Sequence, residues 1–352
     1  AEGRRQKAEG RRQKAEGRRQ RRIVYLDLVK GVTIFLVVFG HCIQYGNGHE
    51  FSQSGAFFGD ILFKIIYSFH MPLFALVSGY LFFWSVSSRS PREVIIRQVN
   101  NLILPAFSWA VIYQAARAIL HLYRGDLAGI DVLLMDTLRN FLHGLWFLWA
   151  MFLASMIVLL TREKFRDELK VYVMVLVIML FIPLRVVSST HVFVYPYFIA
   201  GYIWHREGMD EKFTCNKSFC AGVILLWCIM LMFYNRDSYV YTTGTALIKY
   251  RQGVFMPEQI LIDVFRWLIG FAGCGSVLIL LKLVKPVNFL AAIGTKSLGI
   301  YIISGYLMRF LPEHGGYVVN FLEAVSITAG CYVLSVMISR VKSLNRLLFG
   351  GR

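Results

Sequence analysis

The chain has 352 residues, 57% of them hydrophobic and only 17% charged. A soluble domain carries closer to a quarter charged residues, so this balance excludes an ordinary soluble enzyme and indicates a membrane protein. The net charge of +17 does not point to a nucleic-acid partner, because ten of the 38 Lys and Arg residues lie in the first 22 positions.

Those first 22 residues repeat the unit AEGRRQK almost three times. Each unit carries a glycine and lacks an apolar stripe of helical period, so residues 1–22 read as a basic disordered tail. Its charge aids orientation or meets anionic lipid headgroups.

Ten apolar runs follow, most of them near the ~20 residues that a helix needs to cross ~30 Å of hydrocarbon. They cover roughly 23–45, 57–85, 98–120, 143–161, 171–188, 192–205, 219–235, 259–281, 290–311 and 321–341. The expected fold class is therefore all-α: a polytopic transmembrane helical bundle of about ten spans over 23–341, ending in a short basic cytoplasmic tail at 342–352. The sixth run is short and almost abuts the fifth between Ser188 and His191, a spacing that suits a re-entrant hairpin or a broken helix. With the N-terminus inside, the inner segments hold 27 Lys and Arg and the outer loops hold seven. The positive-inside rule then places both termini in the cytoplasm.

The first run, RRIVYLDLVKGVTIFLVVFGHCIQYG, holds Asp27, Lys30 and His41. Each ionisable group at membrane depth costs at least ~2.5 to 3.5 kcal/mol on the insertion scale, so each needs a reason. At about 100° per residue, the eleven steps from Lys30 to His41 return both side chains to one face, roughly 16 Å apart along the axis. Asp27 stands three residues before Lys30, where it can neutralise the ammonium. A lone buried histidine is more often a satisfied core residue; three aligned polar groups favour a site.

In the second run, FHMPLFALVSGYLF, Pro72 frees backbone carbonyls and kinks the helix. His70 either hydrogen-bonds to that kink or faces the cavity beside it. Arg89, Arg92 and Arg97 precede the third run, which continues NNLILPAF. They are positive-inside anchors, or one of them contacts a phosphate-bearing donor. The six cysteines show no metal spacing, and no Walker loop, dinucleotide fingerprint or nucleophile elbow is present.

The first run resembles the acyltransferase-3 family of integral-membrane O-acyltransferases, whose first helix carries a basic residue, ten spacers and a histidine; Lys30 and His41 have that spacing. The stretch YLDLVKGVTIFLVVFGH is similar to the fucose 4-O-acetylase-like branch. Similar stretches follow in order: FHMPLFALVSGYLF at 69–82, LILP at 102–105, LWFLWAMF at 145–152, YPYFIAGYI at 195–203 and IGTKSLGIYIISG at 293–305. Two positions depart from the family pattern. Gln98, Asn100 and Asn101 replace a denser basic stretch and leave Arg97 as the nearest match, and Ser304 stands where many members have histidine.

The resemblance implies acetyl-CoA as a cytoplasmic donor substrate, no permanently bound cofactor or metal, and a hydroxyl of a lipid-linked or surface glycan as acceptor. It also implies a bacterial inner-membrane location. His41 is then a general base or an acyl-accepting nucleophile, the base being favoured because an imidazole ordinarily titrates near neutrality. Asp27 joins His41 in the catalytic set, Lys30 and Arg97 bind the donor, and His70, Ser297 and Tyr301 line the cavity. The rival use of such buried charges is the path of a transporter or flippase for a glycolipid or organic anion. That would favour inverted repeats, and the two halves show no such symmetry.

Overall fold

The computed structural model describes residues 2–46, 59–125, 129–181, 188–209, 216–249, 253–285, 287–311 and 316–351, the first 22 of these by backbone alone. In chain order the helices are α1 (Glu2–Gly46), α2 (Ile61–Ser87), α3 (Pro91–Gln98), α4 (Leu104–Tyr123), α5 (Ile130–His143), α6 (Trp146–Lys164), α7 (Leu169–Phe181) and α8 (Ser189–Arg206). They continue with α9 (Lys217–Phe233), the single turn α10 (Val240–Thr243), α11 (Pro257–Leu283), α12 (Asn288–Thr295), α13 (Ser297–Leu307), α14 (Tyr317–Arg340) and α15 (Lys342–Phe349). Among the described residues the only sheet is an antiparallel pair of two-residue strands, β1 (Ile248–Lys249) and β2 (Val254–Phe255). The protein is an all-α polytopic bundle.

Among the described residues, six stretches are long and apolar enough to span: Val24–Gly46, α2, the continuous Pro91–Tyr123, α6, α11 and α14. The ninth apolar run is a seventh span only as the pair α12 and α13, bent by 74°. The fifth and seventh runs form the shorter apolar helices α7 and α9. The sixth forms α8 as a helix of its own, because Ser188 opens it with a capping box: its backbone N–H donates to His191 Nδ1 at 2.9 Å.

Both described ends of the chain are helical. The backbone of residues 2–22 is helical and continuous with α1, where a disordered tail was expected. Ala, Glu, Arg, Gln and Lys dominate the repeat and all rank high in helix propensity, which outweighs one glycine in seven. Within the short basic tail, residues 342–349 form the helix α15, seated on α4. Trp109 Nε1 donates to the Leu348 carbonyl at 3.0 Å, and the Trp109 and Phe349 rings stack at 6.5 Å. Leu348 and Phe349 give the otherwise polar KSLNR stretch an apolar end to bury, and Gly350 closes the helix at φ +66°, a conformation glycine adopts without strain.

Small residues set the tightest helix contacts, as expected where lipid supplies no hydrophobic drive between helices. A Cβ on Gly79 of α2 would overlap the Phe198 carbonyl of α8, and one on Gly201 of α8 would overlap the Leu76 carbonyl of α2. The same reciprocity ties α1 to α12. A Cβ on Gly31 would overlap the Leu290 carbonyl, and one on Gly294 the Asp27 carbonyl.

Candidate active site

The glycine contact between α1 and α12 fixes the end of α1 that carries the charges. Lys30 Nζ sits 2.7 Å from Asp27 Oδ1, each side chain about one-fifth exposed. Just beyond Gly294 the chain turns sharply at Lys296 into α13, and this break carries Ser297 and Tyr301 to the same side as Lys30. All three line one cavity of about 700 Å³.

Arg97 reaches that cavity from α3. Between α3 and α4 the helix widens into a π turn (Val99–Ile103), with the Leu104 N–H bonded to the Val99 carbonyl. Pro105 follows, and its missing N–H cannot continue the α-helical ladder there. Such turns re-aim the side chains around them, and Arg97 and Asn101 here both face the cavity. Along α2 the wall runs from Ser85 through Phe82, Ser78 and Phe74 to Met71, a rise of roughly 21 Å. Ser85 Oγ on this wall is buried and has no hydrogen-bond partner among the described residues, which leaves it available to a ligand.

Arg97, Asn101 and the Gly350–Gly351 turn also line a second cavity, a vestibule of about 710 Å³. Its basic side chains are Arg89 and Arg97 from one side and Lys342 and Arg346 of α15 from the other. Its carboxylate, Glu93, is engaged in capping α3 through the backbone N–H of Ser90 at 2.9 Å.

The two histidines that the sequence singles out lie elsewhere. His70 lines a small cavity of about 20 Å³ on the far side of Met71, with Tyr67, Trp146, Tyr239, Tyr241 and Arg266 around it. His41 lines none of these three cavities. Its ring lies 6.0 Å from that of Tyr67, which also meets His70 at 4.5 Å, edge to face. Nδ1 of His41 is 2.8 Å from the Val37 carbonyl, and Nδ1 of His70 is 2.8 Å from the Ile66 carbonyl. A carbonyl only accepts, so Nδ1 carries the proton in both rings and Nε2 keeps its lone pair. Each imidazole is thus oriented by its own helix, with the basic nitrogen directed away from the bond that holds it.

The structure therefore gathers Lys30, Arg97, Ser297 and Tyr301 around one chamber and sets His41 and His70 about Tyr67 beyond it. Several residues join these sites that sequence reasoning had not singled out. Asp263 and Arg266, buried in α11 and 2.7 Å apart, repeat the three-residue spacing of Asp27 and Lys30 inside an apolar run, a signal open to view in the sequence. Lys342 and Arg346 carried no comparable signal, because basic residues after a last span are ordinary.

No solved structure is significantly similar to this chain. Among curated proteins, Nodulation protein NolL of Sinorhizobium fredii is 26% identical over 308 residues, which cover 82% of this chain and 78% of that one. Nodulation protein NolL of Mesorhizobium japonicum is 23% identical over 304 residues, with the same coverage of both chains. The family model described as an acyltransferase domain matches residues 23–340, which embrace every residue of the central chamber except the Phe349–Gly351 turn. The chain belongs to this acyltransferase family, as an integral-membrane member.

Proposed function

We propose that the protein moves an acetyl group from acetyl-CoA, entering from the cytoplasm, to a hydroxyl of a lipid-linked or surface glycan. The observation that carries this reading is a pair of cavities that share Arg97, Asn101 and the Gly350–Gly351 turn. One is lined by four basic side chains, Arg89, Arg97, Lys342 and Arg346, and the other is a long chamber whose walls are mainly apolar. A donor with phosphates at one end and a thin amide-bearing arm at the other matches that succession of surfaces, guanidinium forks suiting phosphate oxygens. Ser85 Oγ and Lys30 would meet the amide carbonyls of the arm, with Asp27 fixing the Lys30 rotamer. The thioester would then reach the Met71 end, beside the histidines.

In the reaction the acceptor hydroxyl gives its proton to Nε2 of His41 while its oxygen attacks the thioester carbonyl carbon. A C–O bond forms, the C–S bond breaks, and the proton passes to the departing thiolate, releasing CoA as the thiol. The Val37 carbonyl supports this role by stabilising the imidazolium that forms. The charge asymmetry of the loops favours an inside vestibule and a His41 end near the outer side. That arrangement lets an inside donor meet an outside acceptor.

The test is chemical. Purified protein in nanodiscs should consume acetyl-CoA with no transmembrane gradient present, and cells lacking the protein should lose acetyl groups from their surface glycans. Unchanged glycan acetylation together with an inert purified protein would overturn the reading.

A further inference from the structure

Arg266 is buried in α11 and ion-paired to Asp263, yet most of its hydrogen bonds go to one loop. Nε donates to the Ser238 carbonyl at 2.7 Å and Nη1 to the Gly244 carbonyl at 2.6 Å. Nη2 donates to the Asp237 and Tyr239 carbonyls at 3.3 and 3.4 Å, and to Thr243 Oγ1. A guanidinium has five N–H donors, and with Asp263 these acceptors occupy all of them. None is left for a substrate or an oxyanion, so the effect of Arg266 is exerted through the loop.

That loop carries Tyr239 and Tyr241 to the small cavity at His70. The Tyr241 ring lies 6.4 Å from that of Trp146, edge to face. Tyr241 is 45% exposed and Trp146 half-buried, so the pair offers aromatic surface at the mouth while His70 lies within. The cavity itself, about 20 Å³, is too small for a sugar ring. It exceeds the ~10–15 Å³ that a water-sized group needs, so it admits a single hydroxyl.

We propose that this is the acceptor subsite: a sugar ring lies against Trp146 and Tyr241 and anchors itself by one hydroxyl, other than the one acetylated, inserted into the cavity at His70. Arg266 is its positioning residue, holding the loop in register. The inference rests on the acyl-transfer reading above. It accounts for a buried guanidinium that makes no substrate contact, and for exposed aromatic surface beside a cavity of one-hydroxyl size.

The experiment compares Tyr241→Ala, Tyr241→Phe and Arg266→Lys at matched membrane levels, reading acetyl content of the surface glycans in cells and CoA affinity of the purified proteins. Tyr241→Ala should lower glycan acetylation roughly tenfold, the upper range of a lost aromatic contact, and Tyr241→Phe should restore it. Arg266→Lys should fall similarly, since a lysine point charge cannot span several carbonyls. CoA affinity should stay unchanged in all three. Full acetylation by Tyr241→Ala would overturn the subsite. A joint loss of CoA affinity and acetylation in both Tyr241→Ala and Arg266→Lys would also overturn it, by showing that the loop serves the fold. A wild-type protein that neither binds CoA nor acetylates would instead remove the acyl-transfer reading, and this inference with it.

Discussion

Gly31 of α1 and Gly294 of α12 face one another so closely that a Cβ on Gly294 would collide with the Gly31 backbone nitrogen and the Asp27 carbonyl. The contact sits one residue past Lys30 and two before Lys296, so it sets the distance between the Asp27–Lys30 pair and the Ser297–Tyr301 wall.

Gly294→Ala should therefore push the two helices apart. Overpacking of this kind costs about 1–3 kcal/mol, and here the obstacle is backbone, which cannot rotate away. A lower thermal midpoint in detergent and a raised donor KM are expected. A variant with wild-type values for both would show that the chamber does not depend on this contact.

Lys30 and Asp27 should behave as a unit, because removing one partner leaves the other charge half-buried and uncompensated. Lys30→Ala should lose transfer and some expression, whereas Lys30→Arg should keep part of both. Normal acetylation by Lys30→Ala would detach the pair from the donor path.

The vestibule predicts a donor-specific loss. Replacing both Lys342 and Arg346 with Ala should raise the KM for acetyl-CoA about tenfold and leave kcat near wild type, the contacts being charge-assisted but exposed. The defect should shrink with a donor lacking the 3′-phosphate, and added salt should weaken wild type toward the variant. Equal loss with both donors would argue that α15 supports the fold instead.

His41→Gln keeps a hydrogen-bonding shape without a useful base, and transfer should drop roughly 100-fold or more, the usual size of a lost general base. Insertion and folding should survive, since a neutral imidazole leaves no unpaired buried charge behind. A nucleophilic role would appear as added mass on the peptide containing His41 when acceptor is withheld. Full activity of His41→Gln would remove the residue from the chemistry.

Reporter fusions check the orientation on which the inside-to-outside path depends. A fusion at Gly244 should read outside and one at Lys164 inside; the fusion expected to read outside at Gly48 lies beyond the described residues. Reversed signals at Gly244 and Lys164 would invert the whole arrangement.

The sequence by itself determined the membrane class, the helical runs, the pairing of Asp27 with Lys30 and the alignment of Lys30 with His41. All of these follow from patterns within one helix, where 3.6 residues per turn dictate which side chains share a face. It did not determine that the Lys30 end of that face opens on a chamber with Arg97, Ser297 and Tyr301, while His41 stands apart beside Tyr67. Nor did it reveal that α15 completes the vestibule or that Arg266 ties down a loop more than twenty residues earlier in the chain. Those relations depend on which helix faces meet, and tertiary structure alone decided them. Close glycine contacts between α1 and α12, a bend at Lys296 and a π turn before Pro105 join residues hundreds of positions apart, and no local periodicity encodes where such contacts find their partners.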